Sequence, residues 1–461
     1  MQIENRETCA DSILSLRHIF FSILLLLSIL LLFLGGVIQI DTLFFSIVAT
    51  ILYCIMCLYF LKTNFSFFVI SFLFLFGQFT AICSNILIES GAYMAEINHY
   101  GYVTGATARL VFLNVLFFYS AYIIYSKSFK NIHYKFIDLS KILVVLIHFV
   151  MVSYYIICGY VLLHYGSPLI KHMDRFLYHS SIPYTFFLIS NLFLTLAFMQ
   201  GVIAVYYLKN RDYRKIRYCF INLILLIVYR IFFGDKWSGL FFCCVLFFVP
   251  ILVWMYHRAF RFRKQIFIIC LISFLSLGIT ASLLITYYYN VNGVRSSQLV
   301  PKIKGRLAEQ GQVWWAVDES IMRSATVYPM DSLSHNEKMG QYRLMKALTN
   351  DQLVKRYKNL GVTFTMGFPA IFLYEYGYLG TGLLVVVCGM LMGCLLCWMV
   401  TAILNCDIIL SFLLIRIYLM LLNGFSMGNI YRFGDWKFLV TVLLLVMYML
   451  VLFNSKPLRN S

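Results

Sequence analysis

A chain of 461 residues that is 62% hydrophobic and only 12% charged is far from soluble composition, in which about a quarter of residues are charged. Its 43 Phe, 33 Tyr and 6 Trp and its mean hydropathy of +0.84 exclude a soluble core, a disordered chain and a nucleic-acid partner, so the formal charge of +18 needs a membrane explanation. Long apolar runs recur without regular polar–apolar alternation, which excludes an outer-membrane barrel and predicts an all-α polytopic membrane protein.

In chain order, spans are predicted near 19–39, 43–61, 65–88, 108–125, 142–163, 182–207, 218–233, 239–256, 265–287, 378–400, 408–424 and 437–453, about twelve in all. The first run lacks a small-residue cleavage site and meets the second almost at once, so it reads as an anchor rather than a removed signal. With the N-terminus inside, 18 Lys and Arg fall on the inner side, against four in the short outer loops (Lys171, Arg175, Lys236 and Arg432). That bias orients the chain with both termini in the cytoplasm, and the inner cations face anionic lipid. Two C-x-x-C pairs, Cys54/Cys57 and Cys394/Cys397, lie inside apolar runs and read as small packing residues; no metal site is expected.

Close to the outer end of the seventh run stands Arg230, followed by Gly234, Asp235, Lys236 and Trp237; Arg432, Gly434, Asp435, Trp436 and Lys437 echo this before the last run. Each segment brings a guanidinium, a carboxylate and an ammonium together at the outer surface, an arrangement suited to gripping a phosphate. The alternative is a pair of interfacial Trp/Lys belts, with Arg230 snorkelling to the interface. Arg416, in the middle of the eleventh run, is the clearest charge at membrane depth and reads either as a site residue or as a partner of a buried polar group.

Between the ninth and tenth runs the composition turns polar. The expected division is therefore a membrane domain over 1–287, a large helical outer loop over 288–365, and a second membrane portion over 366–461. The loop carries 11 basic and six acidic residues, on the side where topology does not call for cations. Val313, Val317 and Ile321 mark an amphipathic helix over 312–325; Ser334 to Glu337 reads as a capping box opening a helix toward Leu348; a third helix runs from Asp351 to Leu360 and stops at Gly361. The stretch 362–376 is apolar but broken by Gly367, Pro369 and Glu375, which suits a re-entrant segment. D-x-D is missing, as are the P-loop, nucleophile-elbow and zincin motifs, so sugar-phosphate chemistry here would neutralise its leaving group with Arg and Lys.

Two segments, Arg230 to Gly239 and Arg306 to Trp315, together with many spans and one large late outer loop, resemble the bacterial O-antigen or oligosaccharide repeat-unit polymerases (Wzy). Some members carry R-x10-G spacings in two outer loops; Arg356 to Gly367 has that spacing in the large loop, whereas Arg175 in the 164–181 loop has no Gly at the same offset. The resemblance implies a GT-C-like polymerase or ligase architecture in the inner membrane. It implies a metal-independent, cofactor-free glycosyltransferase that moves a glycan from undecaprenyl diphosphate onto a second lipid-linked repeat unit. Expected partners are the lipid-linked oligosaccharide donor and acceptor, membrane lipids and a chain-length regulator protein.

On that footing Arg230, Asp235, Lys236, Arg295, Arg306, Arg323 and Arg432 are the expected diphosphate-binding residues, and Glu309, Asp318 and His335 the candidate bases. Trp314 and Trp315 are candidate sugar-stacking faces, with packing inside the loop as the alternative; Arg323 has an alternative too, a helix ion pair with Glu319. An O-antigen ligase would share fold and donor, and a lipid-linked oligosaccharide flippase would share the spans but line its cavity with more intramembrane charge.

Overall fold

The computed structural model describes residues 19–34, 43–129, 140–258, 304–324, 340–359 and 363–454, short stretches at 22, 33, 169, 172–177, 179–180, 236 and 429 excepted, together with 278 and 282. The chain is an all-α polytopic membrane protein, and its described sheet structure is one two-residue pair, β1 (Tyr93–Met94) with β2 (His99–Tyr100).

Among the described residues, eight helical spans are long and apolar enough to cross a membrane. They comprise α2 (Leu43–Thr63), α3 (Phe65–Glu89), most of α4 (Ala106–Phe129) and α5 (Ser140–Tyr165), the pair α6 (Tyr184–Ser190) and α7 (Phe193–Lys209), α9 (Trp237–His257), α13 (Ala370–Asn405) and most of α14 (Ile408–Met427). Three more of the expected runs are helical but fall short of that standard. The apolar stretches Ile19–Leu32 (α1) and Trp436–Leu452, the latter inside α15 (Trp436–Asn454), are shorter, and α8 (Tyr213–Phe232) carries Arg214, Lys215, Arg217 and Arg230. The expected span at 265–287 lies outside the described residues apart from 278 and 282.

The bundle has two unlike ends. At one, Asp212 caps α8 through the Lys215 amide, Asp407 caps α14 through the Leu410 amide and takes the Tyr448 hydroxyl, and Ser66 meets His257 at 2.9 Å. At the other, short polar helices fold over the spans: a turn at 304–308, α10 (Gln312–Ser324), α11 (Gly340–Leu348) and α12 (Asp351–Asn359). Here Ser46 reaches Glu89, Arg230 reaches Ser190, and Lys437 stands 5.8 Å from the Tyr184 ring.

The helices α4 and α13 pack backbone to backbone. A Cβ on Gly389 would stand 2.4 Å from the Phe117 carbonyl, and one on Gly393 would stand 2.3 Å from the Ala121 carbonyl, so the two backbones touch where only glycine fits. The α13 helix is interrupted at Gly377 (φ 65°, ψ −173°), a conformation that costs a side chain dearly. The interruption sets off a short buried helix, Ala370 to Glu375, from the long span. Just before it, Phe368 packs against Phe117 and Phe425, and the Met366 methyl lies 3.7 Å from where a Cβ on Gly77 would stand. Gly77 is twelve residues before the end of α3, about 18 Å along its axis, so the segment 363–369 descends well into the bundle.

Candidate functional site

The capped end is built around α10, whose sequence offers apolar residues on one side and acids and amides on the other. Trp314 and Trp315 are 1% and 3% exposed. Their ring N–H groups donate to the carbonyls of Ala106 (2.8 Å) and Tyr102 (3.2 Å), and Trp315 lies against His99 and Tyr102. The indoles therefore serve as pillars between cap and bundle, the packing alternative for these residues, and at 1% and 3% exposure their rings are covered by neighbouring side chains and backbone. The preceding turn is seated by Ser84, whose hydroxyl donates to the Ala308 carbonyl at 2.9 Å.

On the next stripe of α10, Asp318 is wholly buried and holds Arg109, the fourth residue of α4. The Arg109 Nε donates to both carboxylate oxygens (2.8 and 3.1 Å) and its Nη2 donates to Oδ2 (2.5 Å) and to the Thr104 carbonyl (2.7 Å). Tyr378, just past the Gly377 break, donates its hydroxyl to Asp318 Oδ1 at 2.7 Å. Arg109 keeps 16% of its side chain exposed. Asp318, expected as a candidate base, is here a carboxylate with no exposure and both oxygens engaged, and it fixes the guanidinium plane.

Beside this pair, Glu89 is buried at the end of α3 and accepts from the hydroxyls of Ser46, Thr107 (2.6 Å) and Thr104 (3.4 Å) and from the Thr104 amide (3.3 Å). A further carboxylate, Glu96, stands at the turn between β1 and β2. It accepts from the Gln312 amide nitrogen through one oxygen and from the Tyr357 hydroxyl through the other, and its backbone carbonyl accepts from Thr349. Burial raises its pKa above the usual carboxylate range; the Tyr357 bond opposes that, the nearby Glu309 reinforces it, and Gln312 and Arg306 oppose it. Arg306 pairs with Glu309 at 2.9 Å and is 70% exposed.

Arg230 is 3% exposed, paired with Asp235 through its Nε, bonded from Nη1 to the Ser190 carbonyl at 3.0 Å, and stacked 4.0 Å from the Phe193 ring. In this packing its guanidinium is committed to its own chain, with no face toward a phosphate. Asp235 is committed with it. Arg416 is half-buried on α14, with no ion pair or hydrogen bond among the described residues. Lys236, Arg295 and His335 lie outside the described residues, as do the side chains of Arg323 and Arg432. Of the expected set, the structure gathers Arg306, Glu309, Asp318 and the two tryptophans into the cap, and leaves Arg230 and Asp235 in a separate pair.

Arg109, Glu89 and Glu96 were not singled out by the sequence reading. A signal was present for the first two. Arg109 is a cation in the first turn of its helix and Glu89 an anion in the last turn of its own, each at the end where the helix dipole opposes its charge. Such placement needs a partner elsewhere in the fold. Residues 334–442 match a family described as a family of unknown function (DUF6418), which covers α11 to the start of α15. No curated protein and no solved structure matches the chain.

Proposed function

We propose that this chain is a bacterial inner-membrane glycosyltransferase of the O-antigen polymerase type. It extends a polysaccharide by transferring a glycan from undecaprenyl diphosphate to a lipid-linked repeat unit on the periplasmic face, where the cap lies. The observation that carries the reading is Arg109. A guanidinium stands where an apolar span meets a polar cap, oriented by a buried carboxylate and a carbonyl, and keeps part of its side chain exposed. A lipid-linked diphosphate brings its charge to that level, and a fixed guanidinium stabilises the negative charge that builds on the leaving oxygen. The exposed Arg306 is the second cation of the described cap suited to that task. Because D-x-D is missing from the sequence, the reaction should continue in EDTA.

The test is deletion of the gene in its host, with surface polysaccharide resolved on a gel and complementation by Arg109→Lys. Polymerase function predicts single capped repeats in the deletion strain. It also predicts poor rescue by lysine at normal protein level, since a point charge does not reproduce the fork that Asp318 and Thr104 hold. Bare core in the deletion strain would favour a ligase or flippase, and unchanged ladders would reject the reading.

A further inference from the structure

At the capped end two carboxyl groups, Glu96 and Glu309, stand near one cation, Arg306, and only Glu309 is ion-paired with it. Glu96 accepts one neutral hydrogen bond on each oxygen, from Gln312 and from Tyr357, and is partly exposed. Its position is fixed by the chain around it: Asn98 turns back to donate to the Met94 carbonyl at 2.8 Å, Tyr93 donates to the Asn98 side chain at 2.5 Å, and Thr349 holds the Glu96 carbonyl. The strands on either side present Tyr93 and Tyr100, 41% and 66% exposed with rings 4.9 Å apart, an aromatic surface of the kind on which a sugar ring stacks. Gln312 and Asp318, which hold Glu96 and Arg109 respectively, are six residues apart on α10, about 9 Å along the axis. The groups that hold Glu96 and Arg109 are thus carried by one cap helix, α10.

We propose that Glu96 is the general base of the transfer assigned above, a proposal that rests on that reading. Glu96 takes the proton of an acceptor-sugar hydroxyl as that oxygen bonds to the donor's anomeric carbon. The bond from that carbon to the diphosphate oxygen breaks, the diphosphate leaves with the electron pair, and Glu96 gives its proton to water at its exposed edge. The groups facing Glu96 are Gln312 from α10, Tyr357 from α12, and Glu309 and Arg306 from the preceding turn. The raised affinity of this carboxyl for protons makes it a better base than an exposed glutamate.

The experiment uses the full-length protein in nanodiscs and, as probe, the polyprenyl-diphosphate-linked oligosaccharide pool extracted from a strain lacking this chain. Chain extension is measured against pH. Wild-type kcat/KM should rise along an acid limb, and Glu96→Gln should lower it by about 10²- to 10⁴-fold. Tyr357→Phe removes a bond that favours the carboxylate form, so its acid limb should move to higher pH by about one unit. A purely structural role for Glu96 would lower the rate without moving that limb, and the position of the limb does not depend on how much protein folds. Near-wild-type extension by Glu96→Gln, or an unmoved limb in Tyr357→Phe, overturns the base while leaving the polymerase reading intact. A wild-type protein that extends nothing overturns both.

Discussion

Asp318 and Arg109 illustrate how a side chain's role is decided by what it touches rather than by its type. Removing one member of a buried pair strands the other charge, which costs about 3–5 kcal/mol, whereas replacing both with well-packed apolar residues is often neutral. Asp318→Ala and Arg109→Met should each lower the unfolding midpoint in detergent clearly, and the double variant should recover part of the loss. Additive losses would mean that the pair is not coupled. Glu96 makes a second prediction, with its sign fixed by the direction of its shift. Its folded pKa lies above its unfolded one, so its contribution to stability is fully present below the unfolded value and is lost as pH rises through the raised value. The difference in melting temperature between wild type and Glu96→Gln should therefore shift against the wild type between acid and neutral pH; a difference flat with pH would contradict it. Among single residues the sequence exposed the acids and cations of the loop, because they interrupt apolar composition. It hid Arg109, since one cation beside Thr107 and Leu110 at the head of an apolar run reads as a boundary, and its partner is 209 positions away.

Helices were the most legible elements, because an apolar run of spanning length has few other ways to satisfy its backbone. The amphipathic stretch from Gln312 likewise forms α10, ending at Ser324. The hairpin at 93–100 was not legible: its strands are two residues each, and most of its hold on the fold comes from residues more than 200 positions later, Gln312, Thr349 and Tyr357. The α4–α13 contact was written in the sequence as Gly389-x-x-x-Gly393 within an apolar run, a spacing that lets two helices approach closely. Gly393→Leu would drive a side chain into the Ala121 backbone and should cost about 1–3 kcal/mol, read as a lower denaturation midpoint. Gly382→Leu on the same helix, where a Cβ meets nothing within 4 Å, should be tolerated. Equal effects of the two changes would remove the close contact as a determinant of stability.

For the molecule as a whole, the uneven distribution of cations predicts which end faces the cytoplasm. Lys62, Lys127, Lys209 and Arg211 lie at the end away from the cap. Alkaline phosphatase fused after Lys346 should be active and a cytoplasmic fluorophore at the same point dark, and the reverse would invert the proposed site. The count of spans was less secure than their existence, since α8 mixes four cations into its helix and α1 and the apolar part of α15 are short.

The pairing of Arg109 with Asp318 also has a consequence in time. The two residues are 209 positions apart, and at about 5–20 residues per second a ribosome needs roughly 10–40 s to travel from one to the other. Throughout that interval α4 is already made, with a guanidinium in its first turn and no carboxylate on α10 to receive it. The nascent protein must therefore wait in the membrane with Arg109 turned to water or to a lipid headgroup, and cap closure is a late event of biogenesis. A chain truncated before α10 would retain this uncompensated charge, a mark by which membrane quality control can distinguish an unfinished protein from a complete one.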